Sequence, residues 1–203
     1  DTIKNSTELF KKYPKTAGEE YLRQAQRDFV QRRFGVSLKD SELVPSFGTR
    51  EVLFNFPQYL LFSKENPKIA YTNPFYQIYE GAAKACRASV IHLDLKQEND
   101  FKPDISDTRL ESADLVILNF PNNPTAATMS KDELVQWVKL ALEYNFVLIN
   151  DECYSEIYTT QKPPSLLEAS IEAGNVSFQN ILVINSISKR SCAPGLRSGF
   201  IAG

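Results

Sequence analysis

Three stretches of the chain hold residue types that can do chemistry together: Asp151-Glu152-Cys153-Tyr154, Ser186-Ile187-Ser188-Lys189 and Pro194-Gly195-Leu196-Arg197. A lysine amine can form a Schiff base with an aldehyde, a strand-end aspartate can pair with a protonated pyridine nitrogen, and an arginine with serines can hold a phosphate dianion. These are the parts needed to hold pyridoxal phosphate. Lys189 is the candidate amine. Freed by a substrate amine, it can also carry a proton as general base and then acid. Burial or cationic neighbours are expected to make it nucleophilic near neutral pH. Asp151 is the candidate partner of the ring nitrogen, keeping it protonated so that the ring withdraws electrons from a substrate carbanion.

Further donors lie upstream. Ser46-Phe47-Gly48-Thr49-Arg50 turns from a short strand into a helix, whose first backbone N–H groups and dipole suit an anion. Arg197 adds a bidentate contact that lysine cannot reproduce, and Ser186 adds a hydroxyl. Tyr76, in Asn73-Pro74-Phe75-Tyr76, follows a strand and can stack on a pyridine ring, whereas Phe75 reads as core. Taken singly, a lysine is usually a solvated surface residue, a strand-end aspartate a helix cap, and a Gly-Thr pair a helix start. Convergence on one edge of a sheet is what raises them above those readings.

The elements that must position these groups alternate. Apolar positions Leu22, Ala25, Phe29 and Val30 recur at helical spacing between Glu19 and Phe34. After the short strand Leu43-Val44-Pro45, a helix carries Val52, Leu53, Phe56, Tyr59 and Leu60, with Pro57 expected to kink or shorten it. Runs at 69–71, 90–93, 115–118, 146–149 and 181–184 read as strands buried on both faces. Helices are expected over 78–85, 131–144 and about 165–173, with Asp132 and Glu133 in a first turn, where negative charge suits the dipole. Residues 198–202 read as a last strand, antiparallel to its predecessor because only a short loop separates them. The expected fold is α/β, a mainly parallel sheet flanked by helices with one antiparallel strand, and its ligands lie beyond the carboxyl ends of the strands. Asn119, Asn122 and Asn123, Asp151 and Tyr154, and Ser186, Ser188 and Lys189 each follow one of those strands.

Composition narrows the class. The 203 residues, 42% hydrophobic and 24% charged, suit one domain with a sizeable core. Lys+Arg 23 against Asp+Glu 25 gives a net charge of -2, so no basic surface invites nucleic acid or an anionic membrane. Cys86, Cys153 and Cys192 are widely spaced with no CxxC, which supports neither a disulfide framework nor a metal site and suits a reducing, cytoplasmic home. No run of about 18 apolar residues occurs, and Asp1-Thr2-Ile3-Lys4-Asn5 has no signal-peptide character, so the start reads as cut from something longer. His92, the only histidine, lies within a strand run and reads as a satisfied strand residue. Cys153 reads as small packing beside the site.

In order along the chain, Asn73-Pro74-Phe75-Tyr76, Asn122-Asn123-Pro124-Thr125, Asp151-Glu152-Cys153-Tyr154, Ser188-Lys189 and Pro194-Gly195-Leu196-Arg197-Ser198-Gly199 resemble the class I/II aminotransferases of the fold-type I, pyridoxal-phosphate-dependent superfamily. The resemblance spans nearly the whole chain. It implies Lys189 as Schiff-base lysine, Asp151 as partner of the ring nitrogen, and Asn123 and Tyr154 as donors to the ring 3-oxygen. It implies Gly48, Thr49, Arg50, Ser186, Ser188 and Arg197 around the cofactor and its phosphate, and Tyr76 as the stacking aromatic. Tyr13, in Tyr13-Pro14-Lys15-Thr16-Ala17-Gly18, matches a tyrosine that reaches the neighbouring subunit's phosphate, which implies a homodimer. The substrates implied are an amino acid and a 2-oxo acid. Residues 48–54 and 73–83 look like those of bacterial succinyldiaminopimelate aminotransferases of lysine biosynthesis.

Two departures stand out. Ala126 occupies the position where the family usually has glycine after Asn-Pro-Thr; if the backbone there has a positive φ, alanine costs roughly 1 kcal/mol. The chain also stops before the family's C-terminal small domain, which carries the arginine that clamps the substrate carboxylate. Residues 1–203 are therefore expected to be a large cofactor domain excised or truncated from a longer chain, able to bind cofactor yet unable to turn over substrate alone. Rival readings are a β-lyase using the same cofactor groups and a non-catalytic, cofactor-binding regulatory domain. A dinucleotide-binding domain is rejected because no GxGxxG follows the first strand.

Overall fold

The computed structural model describes residues 4–203; Asp1, Thr2 and Ile3, part of the N-terminal stretch read above, lie outside the described residues. Helix α1 (Glu20–Phe34) follows the expected periodicity and ends at Gly35 in the left-handed conformation. Strand β1 (Leu43–Ser46) leads into α2 (Thr49–Leu61), and β2 (Lys68–Asn73), α3 (Gln77–Ala85), β3 (Ser89–Asp94) and β4 (Leu115–Leu118) follow. Then come α4 (Lys131–Tyr144), β5 (Val147–Asp151), α5 (Leu166–Glu172), β6 (Ile181–Ser186), the single-turn α6 (Ile187–Arg190) and β7 (Gly199–Ala202). Both α4 and α5 start where serine side chains can cap them. Ser130 with Glu133, and Ser165 with Glu168, each satisfy two otherwise unpaired N–H groups at a helix start. Glu133 is therefore a capping residue.

The seven strands of the described residues form one sheet in the order β1-β7-β6-β5-β4-β2-β3. Neighbours β6-β5-β4-β2-β3 are parallel, and β7 runs antiparallel to both β6 and β1. One strand therefore opposes the rest, as expected from the short loop before it. The carboxyl ends of β1, β2, β4, β5 and β6 face the same way, and Ser46 and Ser186 both pair with Gly199 at that edge. Gly199 is required there: a Cβ on it would stand 2.5 Å from the Asn185 carbonyl oxygen.

Helices cover both faces. On one side Val30, Trp137, Val138, Phe146 and Leu148 anchor the larger core; on the other Leu53, Tyr71, Tyr79, Ile117 and Ile149 anchor a smaller one. Burial on both faces explains why β4 reads as an unbroken apolar run, with Leu115 to Leu118 all buried. Two expectations need correction. Strand β3 is an edge strand of the sheet among the described residues, and it alternates between buried and exposed positions because one of its faces packs on the core while the other meets solvent. His92 accordingly is exposed, its ring stacked on Phe75 at 5.7 Å and its carbonyl accepting from Arg109. Pro57 neither breaks nor shortens α2, which continues to Leu61. Its ring is buried, and burial of that apolar ring acts against the roughly 3 kcal/mol cost of a proline inside a helix. No helix among the described residues is long and apolar enough to cross a membrane.

Candidate active site

The site grows from the end of β5. Asp151 is 5% exposed, its Oδ1 accepting the Cys153 N–H at 3.2 Å and its Oδ2 lying 3.5 Å from the Tyr79 hydroxyl. Burial pushes its carboxyl up to about 6, against those hydrogen bonds. Among the described residues no basic side chain forms an ion pair with it. A buried acid held up by desolvation alone is ready to accept a cationic N–H partner. Tyr79 was not singled out from the sequence, since one tyrosine among the apolar positions of a helix looks like core. Its hydroxyl, held protonated because burial and then the Asp151 charge push its pKa well up, is a donor aimed at the acid.

Asparagines behind β4 divide into two kinds. Asn119 is buried; its amide donates to the Asp151 carbonyl at 2.9 Å and its Oδ1 accepts the Asn123 N–H at 3.1 Å. Asn122 is also buried, its Oδ1 accepting from the Thr125 hydroxyl and N–H. Both shape the loop. Asn123 is exposed instead, and its Nδ2 donates to the Tyr154 hydroxyl at 3.1 Å. That bond occupies the phenol oxygen as acceptor and leaves its proton free for a ligand. Burial, and secondarily the neighbouring Cys153 and Asp151, raise the Tyr154 pKa and keep that proton in place.

The same loop carries Ala126 at φ +60°, locked by Ala126 N–H to Asn122 carbonyl and Asn122 N–H to Ala127 carbonyl bonds, both 2.9 Å. Alanine is thus in the strained conformation that a glycine would relieve. We expect Ala126→Gly to raise the unfolding free energy by about 0.5–1 kcal/mol, read from urea midpoints; an unchanged or lowered midpoint would mean that the loop tolerates the Cβ without strain.

A second group of donors lies where β1 and β6 end. Helix α2 begins at Thr49, as expected, with Gly48 before it at φ +90° and no side-chain cap on its first N–H groups. Arg197, itself left-handed at φ +47°, donates to the Pro194 carbonyl at 2.8 Å and the Phe47 carbonyl at 3.1 Å. This holds its guanidinium over Gly48, where an added Cβ would stand 2.5 Å from Nη2. Glycine is favoured there by its positive φ, and a Cβ would displace the guanidinium from its place over the turn. Arg50 and Arg197 line one open groove of about 480 Å³ with Phe47, Glu51, Phe54, Asn55 and Ile78. Ser186 is buried at the end of β6, and its hydroxyl accepts the Ser188 N–H at 3.3 Å, starting α6. Lys189 follows one residue later, its Nζ 5.8 Å from the centre of the Tyr154 ring. The lysine is exposed, so the expected burial is not met within this chain. Tyr76 is half-buried, its ring edge-on to Tyr79 at 6.0 Å, which places the proposed stacking aromatic beside the tyrosine that faces Asp151. Tyr13 stands apart at 99% exposure.

These groups fit pyridoxal phosphate. The acid lacks a cationic partner, the Gly48 turn leaves a cradle under a guanidinium with free helix N–H groups, and one exposed amine stands beside the Tyr154 ring. A family model, "Aminotransferase class I and II", matches residues 2–203. The chain belongs to the class I and II aminotransferases. Enzymes of this family use pyridoxal 5'-phosphate. The LL-diaminopimelate aminotransferase of Aquifex aeolicus is 34% identical over 95% of this chain and 49% of its own length. The Streptomyces rimosus 4-dedimethylamino-4-oxo-anhydrotetracycline transaminase OxyQ is 31% identical over 94% of this chain and 50% of its own. The crystal structure of aminotransferase AspB from Helicobacter pylori superposes with a TM-score of 0.97 at 60% identity, covering 100% of this chain and 54% of that one. The chain thus spans about half the length of the curated aminotransferases it matches.

Glu152, behind the site, is another residue whose environment the sequence did not disclose. It is 1% exposed, and its Oε1 accepts from Asn150, the Ser165 hydroxyl and the Leu166 N–H. Burial outweighs those bonds and pushes its carboxyl up to about 8. Both buried acids therefore hold protons in the folded chain that the unfolded chain gives up first. Their contribution to stability is complete below the unfolded carboxyl range and is lost as pH rises through about 6 for Asp151 and about 8 for Glu152. Glu152→Gln, which keeps an acceptor for Ser165 and Leu166, should flatten the loss between about pH 6 and 8 by on the order of 1–2 kcal/mol in cofactor-free protein. Urea unfolding across that range checks this, and a parallel decline in both proteins would contradict it.

Proposed function

We propose that this chain is the cofactor-binding large domain of an aminotransferase that moves an amino group between an amino acid and a 2-oxo acid. The observation that carries the reading is the convergence of Asp151, the Asn123–Tyr154 pair, Lys189, and the Gly48–Thr49–Arg197 cradle with Ser186 on one edge of the sheet. Bound there, pyridoxal phosphate supplies an aldehyde and an electron-withdrawing ring. The Asp151 carboxylate would face the ring nitrogen and keep the proton on that nitrogen. Tyr79 and the Cys153 N–H orient that carboxylate. Asn123 and Tyr154 donate toward the ring oxygen, and Tyr76 covers a ring face. Thr49, Ser186, Arg50, Arg197 and the first N–H groups of α2 hold the phosphate, with Ser188 fixing the Ser186 rotamer through its N–H. Lys189 is the residue that would hold the cofactor aldehyde, and its free amine would carry the substrate's α-proton.

The finer assignment is a diaminopimelate-type donor, N-succinyl-diaminopimelate with 2-oxoglutarate in lysine biosynthesis. The Aquifex relative, which carries LL-diaminopimelate in its name, supports a diaminopimelate-type donor, with or without the succinyl group. The OxyQ relative, at nearly the same identity, shows how far substrates diverge on this scaffold. The exposed Tyr13, together with exposed Phe47, Tyr59 and Phe62, supports a homodimer in which Tyr13 reaches the neighbouring phosphate. This reading places the protein in the cytoplasm. The test is the intact polypeptide assayed with succinyl-diaminopimelate, LL-diaminopimelate, aspartate and aromatic donors against 2-oxoglutarate. Transamination with the succinylated donor at least about tenfold above the others supports the finer assignment. Preference for another donor overturns it while leaving the amino-transfer reading, and elimination that needs no oxo acid would replace that reading with a lyase.

A further inference from the structure

Cys153 sits where packing alone does not account for its contacts. It is 8% exposed, and its Sγ lies 3.3 Å from the Thr49 hydroxyl and 3.4 Å from the Ser186 hydroxyl. Those hydroxyls come from separate elements, the first residue of α2 and the last of β6, and both belong to the phosphate cradle of the preceding reading. Ser186 Oγ already accepts the Ser188 N–H, so one of its lone pairs is taken. A thiol brings a single weak donor and a weak acceptor. Burial, and then the Asp151 charge, push its pKa strongly up, so the sulfur carries its proton and adds no negative charge beside an anion.

We infer that Cys153 is a positioning residue for the phosphate-binding hydroxyls, giving its S–H to the Thr49–Ser186 pair so that both O–H protons are free to face a phosphate dianion. Without ligand, one hydroxyl proton can rest on the sulfur. A phosphate oxygen is the far stronger acceptor, and the proton turns outward at little cost. The inference rests on the cofactor-site reading, and inorganic phosphate separates the two.

The intact polypeptide is titrated with inorganic phosphate while the S–H stretching band is followed by infrared spectroscopy, the Cys153 component being assigned by its loss in Cys153→Ala and Cys153→Ser. The expected result is a shift of that band on phosphate binding. Phosphate affinity should fall about three- to tenfold in Cys153→Ala and stay within about twofold in Cys153→Ser, which restores a donor. A band indifferent to phosphate, or wild-type affinity in Cys153→Ala, overturns the inference and leaves the cofactor site standing. Failure of the wild-type protein to bind phosphate overturns both. Should Cys153→Ala not fold, the wild-type band with the serine affinity decides.

Discussion

Lys189→Ala should remove the visible absorbance of the cofactor's covalent link and cut transamination by at least about 10³-fold, because one side chain provides both the attacking amine and the proton carrier. Phosphate affinity in the same variant should change little, since Thr49, Ser186 and Arg197 are untouched and the lysine makes no hydrogen bond to them. Absorbance spectra with added pyridoxal phosphate and a phosphate titration separate the two effects. Retention of absorbance and rate would remove Lys189 from the mechanism.

The second large effect is at Asp151. Asp151→Asn keeps the shape of the strand end and can still accept the Cys153 N–H through its one amide oxygen, with its NH2 toward Tyr79, but it cannot balance a positive ring nitrogen. Removing one member of a buried charge pair costs about 3–5 kcal/mol, so the rate is expected to fall by about 10²–10⁴-fold. Stability should move the other way. The Asp151 pKa is raised to about 6 by burial, so at neutral pH cofactor-free protein carries the cost of a buried charge. Asp151→Asn should therefore unfold at higher urea than wild type at pH 7 without cofactor, an advantage that disappears when cofactor binds. A variant with lower stability and an unchanged rate would make Asp151 a structural cap.

Much of this was legible in the residues. Helical spacing located α1, short apolar runs located the parallel strands, and the segments between those runs located α4 and α5, because each is a local rule acting on consecutive residues. Strand β3 was misjudged since the same apolar letters serve a central strand and a half-exposed edge; only the sheet order distinguishes them. Pro57 does not shorten α2, since the helix continues past it to Leu61 with the ring buried. In the site, residue types that do chemistry at strand ends were visible, while their supports were not. Tyr79, Glu152 and the Cys153 thiol contacts depend on elements distant in sequence closing around them, and no spacing records that. Ala126 lies between these cases: the departure was visible, and its cost followed once φ was known.

The central claim is that one amine, Lys189, meets the cofactor aldehyde at the edge defined by Asp151 and Arg197. The intact polypeptide loaded with pyridoxal phosphate, reduced with borohydride, digested and analysed by mass spectrometry tests it directly. The account predicts the pyridoxyl label on the peptide containing Lys189. A label on any other lysine, or none, would contradict it.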